Sequence, residues 1–203
     1  MIFKSYIIEK NLDSVNKCKM LLFYGENEGL KKNFKERLKK ISVKSDILNL
    51  YQNELIENPK LLINEVLNKS LFENNKTIFI NEANDKILPL LEELNDHLEK
   101  ERIYIFSNIL DKKSKLRSYF EKSKSWGITA CYQDNEITIK KIIMNKLNDY
   151  QGLTGQVTNL IIQNTGLDRN KVNNEIDKII SCFKDKKIDH EKTELLLNIR
   201  TNE

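Results

Sequence analysis

Five short apolar runs punctuate the chain up to residue 132: Met20-Leu21-Leu22-Phe23-Tyr24, Asp46-Ile47-Leu48-Asn49-Leu50-Tyr51, Thr77-Ile78-Phe79-Ile80, Arg102-Ile103-Tyr104-Ile105-Phe106 and Gly127-Ile128-Thr129-Ala130-Cys131-Tyr132. Most are near-continuous in hydrophobicity, the pattern of parallel strands covered on both faces. Between them lie helix-like patterns over 28–40, 58–69, 85–100 and 112–124. In the third, Ile87, Leu90, Leu91, Leu94 and Leu98 recur on one helical face. Strand–helix alternation of this kind predicts an α/β domain with a parallel sheet over 1–135.

The pattern changes near Gln133-Asp134-Asn135-Glu136, beyond which strand-like runs nearly vanish. Ile139, Ile142, Ile143 and Leu147 mark one amphipathic helix. Thr154 can cap the next, which carries Val157, Leu160 and Ile161 and ends by Gly166. Asp168 can cap a third, with Val172, Ile176, Ile179, Ile180 and Phe183 on its buried face. A last helix holds Leu195, Leu196 and Ile199. Each is too short to be stable alone, so 136–203 is read as a small helical domain whose apolar faces pack together.

Composition narrows the class. The chain has 203 residues, 39% hydrophobic and 32% charged, enough for one good core and too apolar for a disordered tail. It has no apolar run of about 18 residues and no signal-like N-terminus, so the expectation is a cytoplasmic protein without membrane contact. Cys18, Cys131 and Cys182 lie far apart with no C-x-x-C pair, which argues for reduced thiols and against zinc-ribbon or thioredoxin chemistry. His97 and His190 sit in polar helical stretches and are read as solvated. A formal charge of +4 is too mild for a protein that coats DNA.

The first run leads into Gly25-Glu26-Asn27-Glu28-Gly29 and then a helix, where a phosphate-binding loop would sit. That motif needs G-x-x-x-x-G-K-[ST], so that N–H groups, a lysine and a hydroxyl reach phosphates and Mg²⁺ together. Here the glycines are four apart, Leu30 follows the second, and neither Ser nor Thr follows Lys31. Two glutamates in the loop would repel phosphate. The third strand-like run ends in Asn81-Glu82, where an acidic Mg²⁺-binding position could sit; without a phosphate loop as partner it is read as a solvated loop carboxylate. With no Ser/His/Asp set and no carboxylate pair, the reading is a chain without cofactor or active site of its own.

Four stretches carry a family resemblance: Leu22-Phe23-Tyr24-Gly25-Glu26-Asn27, Lys69-Ser70-Leu71-Phe72, Asp111-Lys112-Lys113-Ser114-Lys115-Leu116 and Asn174-Glu175-Ile176-Asp177-Lys178-Ile179. In this order and spacing the chain resembles the delta subunits of bacterial DNA polymerase III clamp loaders. The resemblance implies an AAA+ fold without a working phosphate loop, followed by a helical lid. It implies a non-catalytic part of the DNA-directed DNA polymerase holoenzyme (a nucleotidyltransferase complex). It implies the beta sliding clamp as partner, bound through Leu71 and Phe72 next to Ser70, together with the gamma/tau ATPase subunits, delta-prime and, indirectly, primer-template DNA. The family's third, collar domain is expected to be absent, since Glu203 falls about where the lid would end.

Leu71 lies four residues beyond Leu67, itself four beyond Ile63, so the residues alone also allow Leu71 to extend a buried helical face. The resemblance implies display instead. Burying a Leu and a Phe on a partner is worth roughly 1.5–3 kcal/mol each, about two to four decades in affinity. Two basic clusters are read first as solvated faces. One is Lys31, Lys32, Lys35, Arg37, Lys39 and Lys40; the other is Lys112, Lys113, Lys115, Arg117, Lys122 and Lys124. Weak phosphate contact by Lys112, Lys113, Lys115 and Arg117 is the alternative. Two rival functions stay open: a nucleotide-binding enzyme with a degenerate loop, and a non-specific DNA-binding accessory module.

Overall fold

The computed structural model describes residues 1–42, 45–67 and 75–198. The chain divides into two compact units, one made of Met1–Glu26 and Leu30–Tyr132, the other of Asn27–Gly29 and the residues from Gln133 on.

In the first unit the described strands are β1 (Ile2–Phe3), β2 (Met20–Tyr24), β3 (Ser45–Tyr51), β4 (Asn75–Ala83), β5 (Arg102–Ser107) and β6 (Gly127–Ala130). They form a parallel sheet in the order β1-β6-β2-β5-β4-β3. β2 is buried at every position, and β4 and β5 are buried through their middles. Such strands must present apolar side chains to both faces, and two helical layers cover them.

Each pleat sends alternate residues to opposite layers. Met20, Leu22 and Tyr24 join Ile78, Ile80, Ile103, Ile105 and Ile128 on one face. Over them pack α3 (Gln52–Glu57), α4 (Pro59–Leu67), α5 (Leu88–Leu94) and α6 (Lys115–Lys122), through Leu55, Leu62, Leu91, Leu94, Leu116 and Phe120. Leu21, Phe23, Phe79, Tyr104 and Phe106 face the other way, onto Ile8 of α1 (Ser5–Lys10) and Leu30, Phe34 and Leu38 of α2 (Glu28–Ile41). Phe23 stacks on Phe106 with ring centroids 4.9 Å apart and meets Phe34 at 5.2 Å.

The second unit holds α7 (Glu136–Lys146), α8 (Gly155–Thr165), α9 (Arg169–Cys182) and α10 (His190–Asn198). Its core gathers Ile139, Ile143, Leu147, Val157, Ile161, Val172, Ile176, Ile179, Phe183, Ile188 and Leu197. Thr154 caps α8 by accepting from the Val157 N–H, and Asp168 caps α9 by accepting from Asn170 and Lys171. Asn135 caps α7 in the same way.

Several details differ from the sequence reading. The pattern over 85–100 is not one helix: α5 spans seven residues between two short 3₁₀ turns, and Leu98 is buried in extended backbone. Ile180 and Leu195 are exposed, the latter at 72%, while Leu197 fills the core position. Cys182 is exposed, whereas Cys18 and Cys131 are buried. His97 and His190 are both exposed. Among the described residues no helix is long and apolar enough to cross a membrane.

Candidate functional site

In a parallel sheet the strands' C-terminal ends are where ligands are expected. At that end of β2, Gly25 has φ +128, and its N–H donates to the Asn108 carbonyl at 3.1 Å. A Cβ there would stand 2.4 Å from the Cys131 carbonyl oxygen, so only glycine lets the chain leave the strand at this point. The solvated reading fails at Lys31, which is buried and donates from Nζ to the Ser107 carbonyl at 2.8 Å, at the tip of β5. The Ser107 hydroxyl in turn donates to the Ala83 carbonyl. Helical spacing foreshadowed this, because Lys31 lies three and seven residues before Phe34 and Leu38, which line the same core. Lys35 is half-buried and donates to Asn81 Oδ1 at 2.6 Å. Burial, and then the Lys39 charge, hold its pKa below the usual lysine value.

Glu82 is exposed, as the sequence reading has it, but it lies within β4 with φ 56, where the pairing with β5 shifts register, and not in a loop. Asn81 beside it is half-buried and donates to the Leu50 carbonyl at 2.9 Å. Among the described residues no group of His, Cys, Asp or Glu is arranged to hold a metal ion.

The loop residues Asn27–Gly29 belong with the helical unit, and there a buried ion pair appears that the sequence did not announce. Arg169 donates from Nε to Asp134 Oδ2 at 2.7 Å and from Nη2 to Oδ1 at 2.5 Å, with both side chains almost fully buried. The Asn27 amide donates to the same Asp134 Oδ2 at 2.8 Å. Gly29 lies so close that a Cβ on it would be 2.7 Å from Arg169 Cβ. The one sequence clue was position: Arg169 is the first residue after the Asp168 cap, where a long cation normally points to water.

Ser70, Leu71 and Phe72 lie outside the described residues. Their described flanks are informative. On α4 the buried face is Leu62 and Val66, whereas Ile63 is half-buried and Leu67 is 49% exposed. The Ile63–Leu67 row that Leu71 would extend is therefore not a core row at its last turn. Lys76 at the start of β4 donates to the Glu65 backbone carbonyl at 2.6 Å and pairs with the Glu65 carboxylate at 3.1 Å.

The Asp111–Leu116 stretch builds the entry to α6. Asp111 Oδ1 accepts from the Lys113 and Ser114 N–H groups, and the Ser114 hydroxyl oxygen accepts from Arg117 N–H. Asp85 sits on the helix start, accepting from the Ser114 hydroxyl at 2.6 Å and from the N–H groups of Leu116 and Lys115. Burial alone would raise the Asp85 carboxyl. The Ser114 hydroxyl, the two N–H groups and the Lys115 charge overturn that, and its pKa falls below the ordinary value. Asp85 thereby takes up the helix N-terminus that an anion would otherwise use. Lys112, Lys113 and Lys115 are exposed. Arg117 is not: it pairs with Glu121 at 2.8 Å, donates to the Leu110 carbonyl and lies 5.0 Å from the Tyr24 ring centroid.

No family model and no curated protein matches the sequence. Solved structures do resemble the fold. A Bacillus subtilis DNA clamp loader delta protein matches 95% of this chain with a TM-score of 0.63 at 11% identity. The Thermotoga maritima RuvB Holliday junction branch migration motor matches 96% with a TM-score of 0.57 at 16% identity. Caenorhabditis elegans PCH-2 matches 95% with a TM-score of 0.54 at 13% identity. The chain spans 62% of the length of the clamp loader protein and 68% of that of RuvB. The fold is thus AAA+-like, a parallel α/β sheet domain with a helical unit after it.

Proposed function

We propose that this chain is a delta-type clamp-loader subunit that docks on a ring-shaped sliding clamp through Leu71 and Phe72, with Ser70 beside them. The observation that carries the reading is the exposure of Leu67 at the end of α4, one helical turn before Leu71 in sequence. A row of apolar residues that has already turned to solvent at Leu67 supports presentation to a partner over burial. The likeness of fold to the B. subtilis delta protein, which the four sequence motifs anticipated, supports the same reading.

The chain is read as a non-catalytic partner of ATPase subunits of the gamma/tau type and of delta-prime, acting near primer-template DNA. Lys31 supports this because its amine is already bonded to a backbone carbonyl, where a phosphate-binding lysine would reach for nucleotide. Docking can open a ring only if the docked surface fits the sprung interface better than the closed one, and differential affinity of that kind is the role assigned to the Leu-Phe prong. Co-purification of the chain with the sliding clamp of its own organism tests the proposal. A chain that ignores the clamp while binding ATP saturably would favour the motor-like reading that RuvB's fold also fits.

A further inference from the structure

The sheet is covered unevenly at its β1 edge. Leu116 and Phe120 of α6 cover the middle of one face, but Ile2 of β1 is 69% exposed on that same face, level with Ile128 of β6. Beside it lies a cavity of about 390 Å³, lined by apolar Ile2, Phe3, Ile128 and Ala130 and by Tyr24 and Tyr132. The two phenol oxygens are 3.5 Å apart, and Tyr6 and Tyr132 are exposed at the rim. A volume of this size, mostly apolar with a few polar groups, is that of a ligand pocket and not of a packing defect.

Charge sorts the occupants. The pocket is also lined by Lys4, Arg117 and Glu121. Glu121 is taken by Arg117, which leaves one positive charge over. That charge is Lys4: it lies 6.0 Å from the Tyr6 ring centroid, and among the described residues no carboxylate pairs with it. The β1 edge adds backbone chemistry. The Met1 carbonyl accepts from the Ile128 N–H. Peptide groups alternate sides along a parallel strand, so those of Ile2 point to the outer edge, where an extended chain can pair with them.

We propose that this pocket and edge form a docking site for an extended peptide of a partner protein, carrying one bulky apolar residue with an acidic residue beside it. The apolar side chain enters the cavity over Ile128 and Ala130, the backbone extends the sheet beyond Ile2, and the carboxylate meets Lys4. This is strand addition with one specificity pocket. It involves none of the residues assigned to the clamp.

The test selects from a randomised hexapeptide phage library on the full chain, counter-selected on the Ile2→Glu variant, whose exposed position tolerates the change. Enrichment of peptides with Leu, Ile, Phe or Trp next to Asp or Glu is the expected result. Amide NMR shifts from the best peptide should map to Ile2, Lys4, Ile128 and Ala130. Lys4→Glu should weaken it about tenfold, as lost charge complementarity does. Ala130→Trp, which fills the cavity, should abolish binding, with a thermal melt confirming that this variant folds. Failure to enrich any peptide over the counter-selection, enrichment indifferent to acidic residues, shifts that map elsewhere, or concentration-dependent self-association lost in Ile2→Glu would each overturn the proposal.

Discussion

Arg169 Nε lies 2.7 Å from Asp134 Oδ2, and the Asn27 amide shares that oxygen at 2.8 Å. Both charged side chains are almost fully out of water. Removing one partner strands the other, which costs about 3–5 kcal/mol. Arg169→Ala should therefore lower the stability of the helical unit by that order in a urea melt. Replacing both charges, as Arg169→Met with Asp134→Leu, should recover only part of it. A packed apolar pair avoids the desolvation of two ions, but the Asn27 amide loses its Asp134 acceptor, which costs about 1–3 kcal/mol.

The Lys31–Ser107 bond leads to a second expectation. Lys31→Ala removes a charged donor from a buried carbonyl and should cost about 1.5–3 kcal/mol in stability. Isothermal titration of the native chain with ATP and Mg²⁺ should show no saturable heat. Saturable binding that Lys31→Ala abolishes would show that Lys31 leaves Ser107 for a phosphate, and would restore the nucleotide-enzyme reading.

Asp85 links acid sensitivity to the entry of α6. Its folded pKa lies below its ordinary value, so its contribution is present above the unfolded pKa of about 4. It fades as pH falls through the folded value. Asp85→Asn should be destabilised by about 1–3 kcal/mol near neutral pH. The gap between variant and native chain should narrow at acid pH, and urea melts across a pH series read it out. A gap independent of pH would mean that the carboxylate's charge contributes nothing.

Gly25 has a backbone reason to be glycine. Gly25→Ala must move either the strand exit or Cys131, because the new Cβ would meet a carbonyl oxygen at 2.4 Å and φ is +128. A loss of about 1–3 kcal/mol is expected from strain alone. Gly155→Ala is the control, since a Cβ there meets nothing within 4 Å. It should be neutral or gain up to about 1 kcal/mol through the unfolded chain.

The central strands were legible because β2, β4 and β5 are buried on both faces, and a run such as Met20–Tyr24 can hardly do anything else. β1 was not, since two residues carry no period and Ile2–Phe3 finds its place only by pairing with Ile128 and Thr129. The caps at Thr154 and Asp168 were readable because a cap is local chemistry. Leu195 and Leu197 were not told apart, because a short terminal helix offers no long period to set its phase. Of the site, the loop glycines were visible as spacing. The pairings of Asp85 with Ser114 and of Arg169 with Asp134 were not legible, because the partners are 29 and 35 residues apart. Long-range polar pairing leaves no mark in a single sequence.

Docking of Leu71 and Phe72 on a sliding clamp is the central proposal, and surface plasmon resonance with the organism's own clamp immobilised measures it directly. The native chain should bind, and Leu71→Ala with Phe72→Ala should lose about two to four decades of affinity. The melting curve of that variant should not fall, because the proposal has both side chains presented to the partner. A double variant that binds the clamp as the native chain does, or one that unfolds because both side chains were core residues, would contradict the account.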